Sequence, residues 1–448
     1  MRKIKPFLIL FLCVCALAVQ GKIIAPQTPD EQANLQVKPL GVDGRPLEEL
    51  SGQLSLEQCI EIALKNSPAA VSAQLQVQSA HVEVNLAKSN FLPTASAGAQ
   101  ELYSVHKTDG SRTQDGGTGS VYASANLSIS GVTELARNVK MKQVSLTQAE
   151  LAFESVKNDI IRTVKKHYYA LVTAQRAVDI RIKSRDVYKE QYERTAEYFK
   201  LGLRPKVDVT TAEVNLNNEE LRLIRAKNLV KTASATLANT LGVTSPDVLQ
   251  IAQEIDFDKW TISFEDAIKT AYENRPDVDS SRLGIRLNQM KLNQAKGAFF
   301  PTFSFQAGFT KSGDDFRLDN EDTRLMIGVE LPLFNAFKTY NGVKQAKLAL
   351  DGAYNSNRSL LNNVFLEVQN AYTNMQEAAE SIPIAELNVE KAKENLDLAQ
   401  GRYNEGIGDM IELKDAESAY TDAELSLLTA RFDYGAAVAD LKQAMGTY

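Results

Sequence analysis

The chain has 448 residues, a formal net charge of −6 and a hydrophobic fraction of 44%. That mildly acidic balance excludes nucleic acid as a partner, which demands a basic face. His81, His106 and His167 stand apart from one another and from Cys59, so no catalytic or metal constellation can be assembled, and neither enzyme activity nor a cofactor is expected.

Arg2, Lys3 and Lys5 precede an apolar run from Phe7 to Val19, with Ala16-Leu17-Ala18 as a small-x-small cleavage signal. This is the pattern of a secretory leader, assigned to residues 1–21, and the run is too short for a stable membrane span. Removing it leaves Cys59 as the one cysteine, so no internal disulfide is expected, and a small buried hydrophobe is its ordinary role. Residues 22–53 carry Pro26, Pro29, Pro39 and Pro46 without apolar period and are expected to be an extended lead-in. No later stretch is apolar for the length of a transmembrane helix, so an exported chain of this kind is periplasmic, secreted or a β-barrel.

The remainder repeats. LSLEQCIEIALKNSP (54–68) matches ISFEDAIKTAYENRP (262–276), and LAKSNFLPTAS (86–96) matches QAKGAFFPTFS (294–304), both at an offset of 208. Further on the offset is 204, pairing Phe199 with Tyr403, Gly202 with Gly406, Asp208 with Glu412, and Ala212-Glu213 with Ala416-Glu417. The expected organisation is two tandem repeats, 54–251 and 252–448, with an insertion between about residues 99 and 127 placed in a surface loop.

Each repeat opens with a long helical stretch that ends at Leu92-Pro93 or Phe300-Pro301, where proline stops a helix. The period then becomes two. Val121, Ala123, Ala125, Leu127 and Ile129 alternate with polar residues, as do Phe303 to Phe309 and Leu325 to Leu333; residues 94–105 form the weakest of the four candidate strands. The polar stretches 107–120 and 311–323 are expected to be solvated loops. A helical pattern without proline or internal glycine then runs from Val132 to about Leu201. At about 1.5 Å per residue it would reach on the order of 100 Å, a length that requires coiled-coil-like packing. The turn at Gly202 returns the chain through a second long helix to Gly242.

Four amphipathic strands cannot close a barrel, since single-chain barrels begin at about eight strands, and an open edge is not tolerated in lipid. If the strands lie in a membrane, several chains must pool them: a dimer would supply about eight, a trimer about twelve. Spacing alone leaves that choice open.

The tandem repeat, the Leu-Pro and Phe-Pro junctions, the Leu331-Pro332-Leu333-Phe334 strand end, and a Gly-containing turn followed by an acid and Ala resemble the TolC-like outer membrane efflux proteins over about residues 54–448. The resemblance implies a mainly α protein with a β-barrel part, a homotrimer whose strands make a twelve-stranded barrel above an α-helical tunnel, and an α/β belt near residues 243–266. It implies an exit duct in the outer membrane of a Gram-negative-type bacterium, contacting outer-membrane lipid and docking with a periplasmic adaptor and an inner-membrane pump. Small-molecule efflux is the leading role, and type I protein secretion uses the same duct. A periplasmic coiled-coil adaptor and a trimeric surface fibre are alternatives of another class, though neither explains two lipid-type hairpins in a duplicated chain.

The resemblance also names a site. Family members close the periplasmic tunnel end with a ring of acids at positions matching Glu412 and Asp415, and Tyr403 and Asp208 match a polar network that holds this end shut. Three chains would bring six carboxylates together, a ring that favours cations. An ordinary alternative exists, since acids three apart in a first helical turn complement the positive helix end. Well-known members carry an arginine at the position of Gly408. Here it is missing, and Arg204 and Lys206 on the equivalent turn of the first repeat are the candidates to replace it.

Overall fold

The computed structural model describes residues 53–102, 105–108, 111–114, 118–243, 249–252, 260–314, 318–405 and 407–448. The expected leader and all but the last residue of the lead-in lie outside the described residues, as do Gly406 and much of the expected belt segment. In chain order the helices and strands are α1 (Leu56–Asn66), α2 (Pro68–Ser89), β1 (Thr94–Leu102), β2 (Val105–Thr108), β3 (Ser111–Gln114), β4 (Thr118–Ser130), α3 (Val132–Lys200) and α4 (Lys206–Thr240), followed by α5 (Phe264–Asn274), α6 (Pro276–Gly297), β5 (Thr302–Asp314), β6 (Asn320–Glu330), α7 (Lys338–Asn404) and α8 (Met410–Ala444).

Two expectations need correction. The opening helical stretch of each repeat is two helices, because Pro68 and Pro276 each force the residue before them out of helical conformation: Ser67 and Arg275 have ψ of 125° and 123°. The polar stretches are also less loop-like than expected. β2 and β3 pair inside the first, while β5 and β6 extend into the second. Backbone pairing does not require an apolar face, and a period-two hydrophobic signal misses strands whose side chains are polar.

The described chain forms two compact units. One comprises Gln78–Leu146 and Ile285–Gly352, and holds a fully antiparallel sheet of order β1-β4-β5-β6. Its central pair, β4 and β5, comes from different repeats, with Val121 opposite Gly313 and Ser130 opposite Ser304. Register sorts the faces: Ile129, Phe305 and Ile327 share one row, while Asn126, Gly308 and Arg324 share another, three rows along and on the other face. Gly98 sits under the Tyr122 ring, where a Cβ would come within 2.6 Å. β1 and β6 end the sheet as edges, and no helix among the described residues is long and apolar enough to cross a membrane.

The other unit comprises the described residues up to Val77, Thr147–Gly284 and Ala353–Tyr448. It contains a core for each repeat, and the repeat offsets reproduce the burial. Val164 and Val368, Leu237 and Leu441, and Cys59 and Ala267 are paired positions, five of them fully buried and Ala267 likewise. Burying a Leu or Val of this kind stabilises by about 1.5–3 kcal/mol. Gly242 and Gly446 end α4 and α8 with φ of +71° and +69°, pressed against the backbone of Asn66 and Arg275. Within the segment where a belt was expected, the described residues include a parallel bridge between Leu54 and Ile251, with the Tyr168 hydroxyl donating to the Ala252 carbonyl at 2.6 Å.

Pro383 lies inside α7 without ending it. Proline removes the amide that would reach the Ala379 carbonyl. Packing on both sides maintains the helix: Ile382 lies against the second core, and Leu396, Ala399 and Tyr403 join a third cluster further along.

Candidate functional site

The third cluster sits where the α3–α4 and α7–α8 turns meet. Ala212 from α4, Ala399 and Tyr403 from α7, and Met410, Leu413 and Ala416 from α8 are buried together, with Tyr192 of α3 packed against them. Tyr403 is 6% exposed, so its ring is the main apolar filling between the two turns.

Each turn is closed by the end of its preceding helix. After α3 the Leu203 N–H donates to the Tyr198 carbonyl and the Gly202 N–H to Phe199, with Gly202 at φ +72°, the usual left-handed helix stop. After α7 the Ile407 and Gly408 N–H groups both donate to the Arg402 carbonyl, at 3.0 and 2.9 Å. Gly408 lies so close to that helix end that a Cβ would come within 3.1 Å of the Arg402 Cβ and the Tyr403 amide. A side chain there requires the turn to shift, which accounts physically for glycine at this place.

The helix starts also differ. Asp409 caps α8, its carboxylate accepting from the Glu412 N–H at 2.7 Å. Pro205 precedes α4 and offers no side-chain cap. The acids distribute accordingly. Arg204 lies 3.8 Å from Asp208 and 5.4 Å over the Tyr403 ring, so three of the expected network residues come together across the two turns. Glu412 and Asp415 lie instead on the exposed first turns of α8, Asp415 with 67% of its side chain open to solvent. Lys206 is exposed and forms no ion pair among the described residues.

The cation beside Glu412 is Arg402, with Nε 3.2 Å from the carboxylate. Sequence reasoning missed it, because ten residues and a turn separate the partners and no helical spacing relates them. Arg194 joins the same region, donating to the Asn404 side chain at 3.1 Å and pairing with Glu190 at 2.7 Å. A cavity of about 200 Å³ is lined by Arg194, Tyr198, Leu203, Arg204, Tyr403 and Asn404.

Two buried acids lie further along the same helices. Glu219 of α4, 2% exposed, is held by Arg181 at 3.1 Å and Arg222 at 3.2 Å. Glu417 of α8 is 5% exposed, and burial lifts its carboxyl to about 7. Its repeat counterpart, Glu213, is exposed. The spacing Leu413-Glu417-Thr421 was the available signal, since it puts Glu417 on a buried helical stripe. Among the described residues no group of acids, histidines or cysteines could hold a metal ion.

The model of the outer membrane efflux protein family matches residues 59–243 and 267–447, the greater part of the chain. The chain belongs to that family. Among curated relatives, outer membrane protein TolC of Vibrio cholerae is 21% identical over 421 residues, covering 90% of this chain and 93% of the relative. The toluene efflux pump outer membrane protein TtgC of Pseudomonas putida is 21% identical, covering 88% of this chain and 83% of the relative. Among solved structures, the Campylobacter jejuni CmeC outer membrane channel superposes with a TM-score of 0.76 at 18% identity, covering 88% of this chain and 85% of that one. The outer membrane efflux protein described here is therefore an outer-membrane exit duct for efflux or secretion, a channel and not an enzyme. The adaptor and surface-fibre alternatives lose their support.

Proposed function

We propose that the protein is the outer-membrane duct of a tripartite small-molecule efflux assembly. Three copies pool their sheets into a twelve-stranded barrel, and a periplasmic adaptor and an inner-membrane pump complete the path. Two free sheet edges and an apolar sheet face support the trimer, because an unpaired edge in lipid leaves backbone groups without partners. Exposed Leu201, Leu203, Val207, Ile407 and Ile411 on the two turns suit an adaptor that brings apolar side chains. What supports reading the chain as two duplicated repeats, 54–251 and 252–448, is the paired burial of their cores.

The turns form the periplasmic gate in this reading. Asp208, Arg204 and Tyr403 hold them together, while Glu412 and Asp415 face the axis as a ring of six carboxylates. The observation that carries the proposal is the division of labour at the turns: the Arg204–Asp208–Tyr403 contacts are partly buried, and the two acids of α8, beside Arg402 and Lys414, are exposed to solvent. Each gate pair is modest alone, since exposed ion pairs contribute about 0–1 kcal/mol, so the gate is able to open.

The efflux assignment draws on the relatives named for pumps, TtgC among them. Cells lacking the protein should accumulate a lipophilic fluorescent dye, and the intact gene should restore its extrusion. Unchanged dye levels together with loss of an exported protein would assign the duct to secretion instead.

A further inference from the structure

Glu417 stands out among the buried acids because no cation is paired with it among the described residues. Glu219 is equally buried but has two arginines. The Glu417 carboxylate has no hydrogen bond and no ion pair among the described residues. A carboxyl in that position is costly when ionised and much less so when protonated.

The groups around it do not change this. From α3 come Arg181, engaged by Glu219 and 4.0 Å from Asp422, and Tyr188, whose phenol is pushed up to about 12 by burial and then by Glu417 and Glu219. From α4 come Glu219 and Arg222. α8 itself adds Tyr420, Asp422 and Glu424, and Asp397 of α7 acts on Tyr420. The cations present are bound to other acids, and the remaining groups are acids or neutral phenols.

Contacts that tie α8 to α3 at this level are thin. One turn before Glu417 the Tyr188 hydroxyl donates to the Lys414 carbonyl at 3.5 Å, and one turn after it the Thr421 hydroxyl donates to the Ser184 hydroxyl at 3.4 Å. Both lie at the long limit of a hydrogen bond. Packing, not directed bonding, holds α8 here, and a charge inside the packing acts directly against it.

We propose that Glu417 is a proton-operated latch: protonated, it keeps α8 packed against α3 and α4 beside the two turns, and ionised, it favours the parted, conducting arrangement. The proposal rests on the reading of these turns as the gate. The direction follows from the packed state holding its proton more tightly than a solvated carboxyl would. Packing is fully supported below about pH 4.5, and that support is lost as pH rises through about 7. The full difference amounts to a shift in the opening equilibrium on the order of a hundredfold per chain.

The test is the conductance of the trimer in planar bilayers from pH 5 to pH 8. The wild type should show open probability rising at least about tenfold across that range. Glu417→Gln, neutral at every pH, should keep the pH 5 value throughout, and Glu417→Leu should do the same. A flat wild-type profile, or a Gln variant that follows the wild type, overturns the latch. If neither variant assembles, hydrogen exchange in the wild type decides: amides of residues 410–421 should lose protection by pH 8 relative to 430–444, and equal protection at both pH values overturns the proposal. The outcomes separate from those of the acidic ring. Substituting Glu412 and Asp415 tests conductance and cation block at fixed pH, whereas Glu417 variants alter the pH profile alone.

Discussion

The turn between α3 and α4 and the turn between α7 and α8 share a sequence skeleton yet close by different means. The first stops its helix torsionally, with Gly202 at φ +72° and open space where a Cβ would lie. The second stops sterically, with Gly408 pressed on the end of α7. The first has an uncapped proline start, with Asp208 drawn to Arg204 and Glu213 exposed. The second has a capped start, two exposed acids and a buried one. Two turns with one sequence skeleton thus differ, the first holding its acid against a cation and the second leaving its acids exposed. An aromatic at equivalent positions shows the same split: Tyr403 is buried, Phe199 is 42% exposed.

The sharpest way to break this comparison is to remove the two aromatics. Tyr403→Ala should cost about 3–5 kcal/mol, the range for a buried aromatic, whereas Phe199→Ala should cost under about 1 kcal/mol. Denaturant melts of the detergent-solubilised protein would read both, and equal losses would mean the turns are interchangeable.

The glycines come next. Gly408→Arg should destabilise by about 1–3 kcal/mol through overpacking against the end of α7. Gly202→Ala should cost about 1 kcal/mol from torsion alone. A Gly408→Arg variant more stable than the wild type would show that the turn relaxes freely. Smaller still is the cap: Asp409→Ala should cost about 1 kcal/mol, visible as faster amide exchange at Glu412, and Pro205→Ala should have no matching loss of a cap at α4.

Much of this was legible in the sequence because its signals were local. The Leu-Pro and Phe-Pro junctions, the alternating strands and the 69 residues of α3 follow from periodicity and chain stops that neighbours a few residues away determine. The β2–β3 hairpin was not legible, since VHKT and SRTQ carry no alternating apolar pattern and backbone pairing defines it. Pro383 in α7 is a case where packing on either side overrides a local breaker. At the site, the acids and Tyr403 were visible as a repeated motif. The contacts between them were not: Arg402 reaches Glu412 across a turn, and Arg204 reaches Tyr403 across two repeats. Burial of Glu417 but not Glu213 depends on which helices surround each copy, and the repeat itself holds no record of that.

The central claim is that the open acids of the second turn face one another around a closed channel end. Single-channel conductance of the Glu412→Ala, Asp415→Ala double variant in planar bilayers tests it most directly. The account predicts higher ion conductance and weaker block by multivalent cations than in the wild type, with Asp208→Ala leaving the cation block in place. Unchanged conductance and unchanged block in the double variant would contradict it.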